Sequence, residues 1–117
     1  MESKFRQQLK KGVLEMVILK CINDNPTYGY ELRMDLAHKS GGLLCLKEGT
    51  LYPILYRLED AGLILSEWQT QSEQGGRCSP KKYYTISSLG SEMLIQQKTE
   101  WAQFYNCINN FVGGTEE

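Results

Sequence analysis

The stretch Glu48-Gly49-Thr50-Leu51-Tyr52-Pro53-Ile54-Leu55-Tyr56-Arg57-Leu58-Glu59-Asp60-Ala61-Gly62-Leu63-Ile64 decides how this chain of 117 residues is read. Leu51, Ile54, Leu55 and Leu58 recur at i, i+3, i+4 and i+7, the spacing of one buried helix stripe. The helix begins around Lys47-Glu48-Gly49-Thr50, and Gly62 closes it as a C-terminal glycine does. Pro53 is expected in its first turn or so, where a backbone N–H has no helical acceptor. The opposite face then carries Thr50, Tyr52, Pro53, Tyr56, Arg57 and Asp60: hydroxyls, aromatic rings and a single positive charge.

Two helices are expected upstream. Residues from about Phe5 to Asn23 form the first, and its run Val13-Leu14-Glu15-Met16-Val17-Ile18-Leu19-Lys20-Cys21-Ile22 is apolar on nearly every side, so it is covered on more than one face. Asn23-Asp24-Asn25-Pro26 ends it. Thr27 suits the N-cap of a short second helix, on which Tyr28, Leu32 and Leu36 share a stripe and which stops at Ser40-Gly41-Gly42.

Downstream of Gly62 the period changes to two. Ile64, Ser66, Trp68 and Thr70 alternate with Leu65, Glu67 and Gln69, and Lys82-Tyr83-Tyr84-Thr85-Ile86 follows a loop from Gln71 to Lys81, which predicts a hairpin with a long basic tip. Ser87 or Ser88 caps a last helix to about Val112, on which Leu94, Trp101 and Ile108 repeat every seventh residue beside Gln97, Phe104 and Phe111. So long an apolar stripe needs a partner surface, and an identical subunit is the most available one.

Composition bounds the rest. Forty-one per cent hydrophobic and 23% charged residues suit one compact globular unit. The net charge of -1 argues at first against nucleic acid. The charges are segregated, however: residues 1–47 hold eight basic and five acidic side chains, 48–70 one and four, 71–84 three and one, 85–117 one and four. A basic face and an acidic face can therefore coexist, with few spare cations and hence a modest salt dependence of any DNA binding. The absence of a signal peptide or of an apolar run of about 20 residues leads us to expect a cytoplasmic protein with no membrane association. Cys21, Cys45, Cys78 and Cys107 lack metal-ligand spacing; Cys21 and Cys107 read as buried thiols, and Cys78 beside Arg77 is the candidate sensor thiol. His38, the one histidine, suits the end of the second helix, and no catalytic set accompanies it, so neither enzyme activity, metal nor cofactor is expected.

Three helices and a hairpin with a basic tip describe a winged helix-turn-helix, mostly α with a β-hairpin, extended by a long C-terminal dimerisation helix. The expected division is 1–87 for the DNA-binding unit, 88–112 for the dimerisation helix and 113–117 for a flexible acidic tail. A winged helix can also serve as a protein-interaction adaptor without DNA specificity, and the basic wing and polar third-helix face favour DNA over that alternative.

Particular residues sharpen this reading. Lys11-Gly12-Val13-Leu14-Glu15-Met16-Val17-Ile18-Leu19, Tyr28-Gly29-Tyr30-Glu31-Leu32, the block from Glu48 to Ile64, Gly76-Arg77, Lys81-Lys82-Tyr83-Tyr84-Thr85-Ile86 and Gly90 together resemble the PadR family of transcriptional regulators. The resemblance runs from about residue 10 to residue 112, and the Gly-Thr-Leu-Tyr-Pro block with its downstream Arg-Leu-Glu is its specific part. One C-terminal helix makes the chain similar to the short subfamily, which implies a homodimeric repressor of palindromic double-stranded operator DNA. Some such members hold flat aromatic effectors between paired tryptophans. The wing departs from the family's frequent Gly-Arg-Pro-Arg-Lys-Tyr-Tyr form, reading Gly76-Arg77-Cys78-Ser79-Pro80-Lys81-Lys82-Tyr83-Tyr84, two residues longer.

On DNA the expected contacts are Thr50, Tyr52, Tyr56 and Arg57 from the third helix, with Lys47 and the amides around Gly49 and Thr50 at its positive end. Tyr28 and Tyr30 at the start of the second helix and Arg77, Lys81 and Lys82 of the wing add backbone contacts. Leu94, Trp101, Phe104 and Ile108 are expected in the dimer seam. A flat aromatic effector would lie against Trp101, with Phe5, Leu9, Met16 and Tyr105 lining the space.

Overall fold

The computed structural model describes residues 2–72 and 78–113. Its elements are α1 (Lys4–Asp24), β1 (Thr27–Tyr28), α2 (Gly29–Lys39), α3 (Glu48–Asp60), β2 (Ile64–Ser72), β3 (Cys78–Ile86) and α4 (Ser88–Val112). Arg77, the Cys78 side chain and residues 114–117 of the acidic tail lie outside the described residues.

α1 starts at Ser3, whose hydroxyl accepts from the Arg6 amide at 3.1 Å, and ends where Asn25 turns extended before Pro26. Its Leu14, Ile18, Leu19 and Ile22 are buried, and it packs against α2, β3 and α4. That three-sided cover is why the run is apolar nearly all round. Thr27 does not cap α2 as expected. Thr27 and Tyr28 instead pair with Tyr84 and Tyr83 as an edge strand, and the Thr27 hydroxyl donates to Glu31 at 3.0 Å. Tyr28 stands at the N-cap position without a side-chain bond to the helix.

The link from α2 to α3 is tied at both ends. Ser40 Oγ accepts the Leu44 amide at 2.8 Å, and Arg33 donates through Nε to the Leu46 carbonyl at 3.1 Å while its guanidinium lies 3.7 Å from Glu48. α3 buries Leu51, Ile54, Leu55 and Leu58, each stabilising the fold by about 1.5–3 kcal/mol. It closes in a Schellman turn: the Gly62 amide bonds Glu59 O at 2.9 Å and the Leu63 amide bonds Leu58 O at 3.0 Å, with Gly62 at φ +78°. Pro53 is the sixth residue of α3, in the second turn rather than the first. Lacking an N–H, it leaves the Gly49 carbonyl without its helical donor on the exposed side.

The sheet order is β1-β3-β2, all antiparallel, with Ile64 opposite Ile86 and Ser72 opposite Cys78. The strands extend farther than the expected hairpin and take in Pro80, opposite Thr70, where β1 no longer pairs with β3. Ser87 caps α4, accepting the Gly90 amide at 2.9 Å and donating to the Gly62 and Leu63 carbonyls, so the cap also fastens α4 to the turn after α3. Leu94 is 4% exposed inside the protomer's own hydrophobic core, so the expected dimer-seam role gives way to a core role for this residue. Cys21 is half-buried and burial pushes its thiol up, whereas Cys107 is exposed on α4 and is not the buried thiol expected.

Candidate nucleic-acid interface

α3 presents Thr50, Pro53, Tyr56 and Arg57 to solvent. Tyr52 lies half-buried on its flank, its ring against Gly29: a Cβ at residue 29 would overlap the Tyr52 hydroxyl and come within 2.7 Å of its Cζ. Gly29 is therefore the residue that lets α2 and α3 approach. Tyr30 is 60% exposed at the start of α2. At the head of α3, Lys47 is exposed, and its carbonyl accepts the amides of both Thr50 and Leu51 at 3.0 Å. The Thr50 amide is thus engaged internally, leaving the Gly49 side of the helix start to offer a donor.

The cations are positioned by neighbours that sequence spacing did not reveal. Arg57 donates through Nε and Nη2 to Glu15 of α1. Lys82 lies 3.8 Å from Glu59 and 5.7 Å from the rings of both Tyr56 and Tyr84, which holds it toward α3 rather than at the hairpin tip. Lys81, on the other sheet face, stands 4.8 Å from the Tyr28 ring, which itself meets Tyr83 edge-on at 5.2 Å. Tyr28 thus serves as a platform for a wing lysine. The β1 strand that places it there was foreshadowed only by a β-branched residue and an aromatic after Pro26.

A cavity of about 650 Å³ opens between α1 and α4. Leu9, Met16, Trp101, Phe104, Tyr105 and Ile108 of the expected set line it; Phe5 and Leu94 do not. Glu15, which Arg57 holds from α3, Glu100 and Lys11 are among its charged lining residues. Trp101 and Tyr105 lie with ring centres 5.9 Å apart. Beyond the cavity α4 leaves Phe111 and Val112 bare. Among the described residues no group of His, Cys, Asp and Glu could hold a metal ion, and no helix is long and apolar enough to cross a membrane.

A three-helix unit whose third helix has a polar exposed face, followed by a β2–β3 wing carrying lysines, is a winged helix-turn-helix. Residues 18–96 match the transcriptional regulator PadR-like family. The chain is similar to a transcriptional regulator from Clostridium thermocellum, at 30% identity and TM-score 0.79 over 90% of this chain and 98% of that one. It is also similar to a PadR-like transcriptional regulator from Bacillus cereus, at 35% identity and TM-score 0.73 over 92% and 99%. An uncharacterized protein of Lysinibacillus sphaericus is 33% identical over 111 residues, 95% of this chain and 98% of that protein. The chain belongs to the PadR-like family of transcriptional regulators.

Proposed function

We propose that the protein is a homodimeric, sequence-specific DNA-binding repressor. The observation that carries this is the exposed Thr50, Tyr56 and Arg57 face of α3 with Lys82 of the wing held beside it at Glu59 and Tyr56. α3 enters the major groove, where hydroxyls and the guanidinium meet base edges and phosphates, and the wing grips the flanking backbone. Residues 88–112 supply the dimer seam through Trp101, Phe104 and Ile108, which the protomer leaves exposed. The two α3 helices then sit about 34 Å apart, matching a palindromic operator. A mobility shift on duplex DNA from the chain's own upstream region tests this; no shift at low salt, where even nonspecific binding is strongest, sinks it.

The cavity between α1 and α4 supports release by a small effector. Its aromatic wall, with Glu100 beside a Glu15 that Arg57 already holds, suits a flat aromatic cation. In the Trp68→Phe chain Trp101 is the sole tryptophan, and a planar cationic dye is expected to quench it. Unchanged emission removes the effector and leaves the repressor reading standing.

A further inference from the structure

Trp68 is a residue to which the α3-and-wing reading gives no task. It is 65% exposed on β2, directly opposite Lys82 in the ladder, so the two side chains share one sheet face. That face is the one α3 packs on: Ile64 is fully buried there, and the Ser66 hydroxyl donates to Glu59 at 2.5 Å. One step farther out the sheet passes beyond the core, and the junction between helix and wing is lined by Tyr56, Lys82 and Trp68. Tyr56 is 51% exposed, and the Glu59 carboxylate that reaches this junction is already engaged by Ser66 and Lys82. A single exposed indole needs no partner. An indole across the ladder from a lysine, which in turn stands over an exposed tyrosine of α3, sets aromatic and cationic groups on one face of the wing.

We infer that this inner face of the wing, centred on Trp68, grips the sugar-phosphate strand of duplex DNA that runs between α3 and the wing. The inference rests on the DNA-binding reading. With α3 in the major groove and the wing on the flanking backbone, the crook between them meets the strand that separates the two grooves. There the indole face covers deoxyribose carbons, its N–H donates to a phosphate oxygen, and the Lys82 ammonium neutralises the same strand. Glu67, Gln69 and the Lys81–Tyr28 pair lie on the other sheet face and take no part.

The chain has two tryptophans, so Trp101→Phe leaves Trp68 as the sole indole emitter. Titrating this variant with a labelled duplex follows binding by anisotropy and the Trp68 environment by emission in one sample. The expected result is that Trp68 emission changes in step with anisotropy and that acrylamide quenches it less in the complex. Trp68→Ala is expected to weaken binding about threefold to tenfold for specific and shuffled duplexes alike, without altering the salt slope, because no charge is lost. Where Trp101→Phe disturbs α4, the difference between the unchanged chain and Trp68→Phe gives the same quantity. Saturable anisotropy with unmoved Trp68 emission, or a Trp68→Ala chain that binds as tightly as the unchanged one, overturns the inference while the DNA-binding reading stands. No rise in anisotropy with the unchanged chain at low salt overturns both.

Discussion

The Arg57 guanidinium crosses from α3 to α1 and donates through Nε and Nη2 to a single oxygen of Glu15, at 3.2 and 3.0 Å. Glu15 also lines the cavity between α1 and α4. One side chain of the proposed DNA-facing helix is therefore held by a carboxylate on the wall of the cavity proposed for an effector. Arg57 is exposed and Glu15 partly so, and such a solvent-screened pair adds less than about 1 kcal/mol to folding; its effect is on where Arg57 points. Arg57→Ala is expected to weaken DNA binding and lower the salt slope by about one, the signature of a lost phosphate contact. Glu15→Gln is expected to tighten binding about twofold at unchanged stability, because the guanidinium is released. Anisotropy titrations at several salt concentrations check both; a Glu15→Gln chain that binds as weakly as Arg57→Ala would mean that Glu15 aims Arg57 at the DNA.

Gly29 is a packing requirement of the α2–α3 approach. Gly29→Ala is expected to cost about 1–3 kcal/mol, since the new methyl meets Tyr52. Adding Tyr52→Phe removes the colliding oxygen, and urea denaturation should show part of the loss recovered.

Tyr84 is 1% exposed, and its hydroxyl has no hydrogen-bond partner among the described residues. Burial first, then the Glu59 carboxylate, push its ionisation up from 10.0 to about 12. The neutral phenol is the form the fold accepts, so this contribution to stability is complete below the unfolded value and is lost as pH rises through the folded one. Tyr84→Phe is expected to gain about 1 kcal/mol at neutral pH by removing an unsatisfied buried group. It should also remove this residue's share of the stability lost between pH 10 and about 12, as denaturation midpoints across that range will show.

Leu94 and Phe104 separate the core from the proposed dimer seam on one helix. Leu94→Ala is expected to destabilise the protomer by about 2–5 kcal/mol through a core cavity. Phe104→Asp, at a position 66% exposed, should leave the helical circular dichroism spectrum intact and halve the mass measured by sedimentation. A Phe104→Asp chain that keeps the dimer mass would place the seam elsewhere.

The sequence showed where local period and punctuation agree. Leu51, Ile54, Leu55, Leu58 and Gly62 announce α3 together, and the structure retains each of them in its expected place. β1 escaped because two residues carry no period and their pairing lies more than 50 positions away, at Tyr83 and Tyr84. Leu94 was placed in the seam because a heptad spacing is the same whether the stripe faces a core or a second subunit. The Arg57 partner, 42 residues distant, leaves no local trace, so the helix face was legible while the aim of its guanidinium was not. Trp68 fell on the expected alternation, but only the register with Lys82 shows that it shares a face with Tyr56.

On the proposed function, α3 and the wing read duplex DNA by sequence. Equilibrium titration of a labelled duplex from the chain's own upstream region against a shuffled duplex of equal length, at one physiological salt concentration, tests it most directly. The upstream duplex is expected to bind about a thousandfold tighter or more, and Arg57→Ala to narrow the gap. Equal affinity for the two duplexes, or no binding to either, would contradict it.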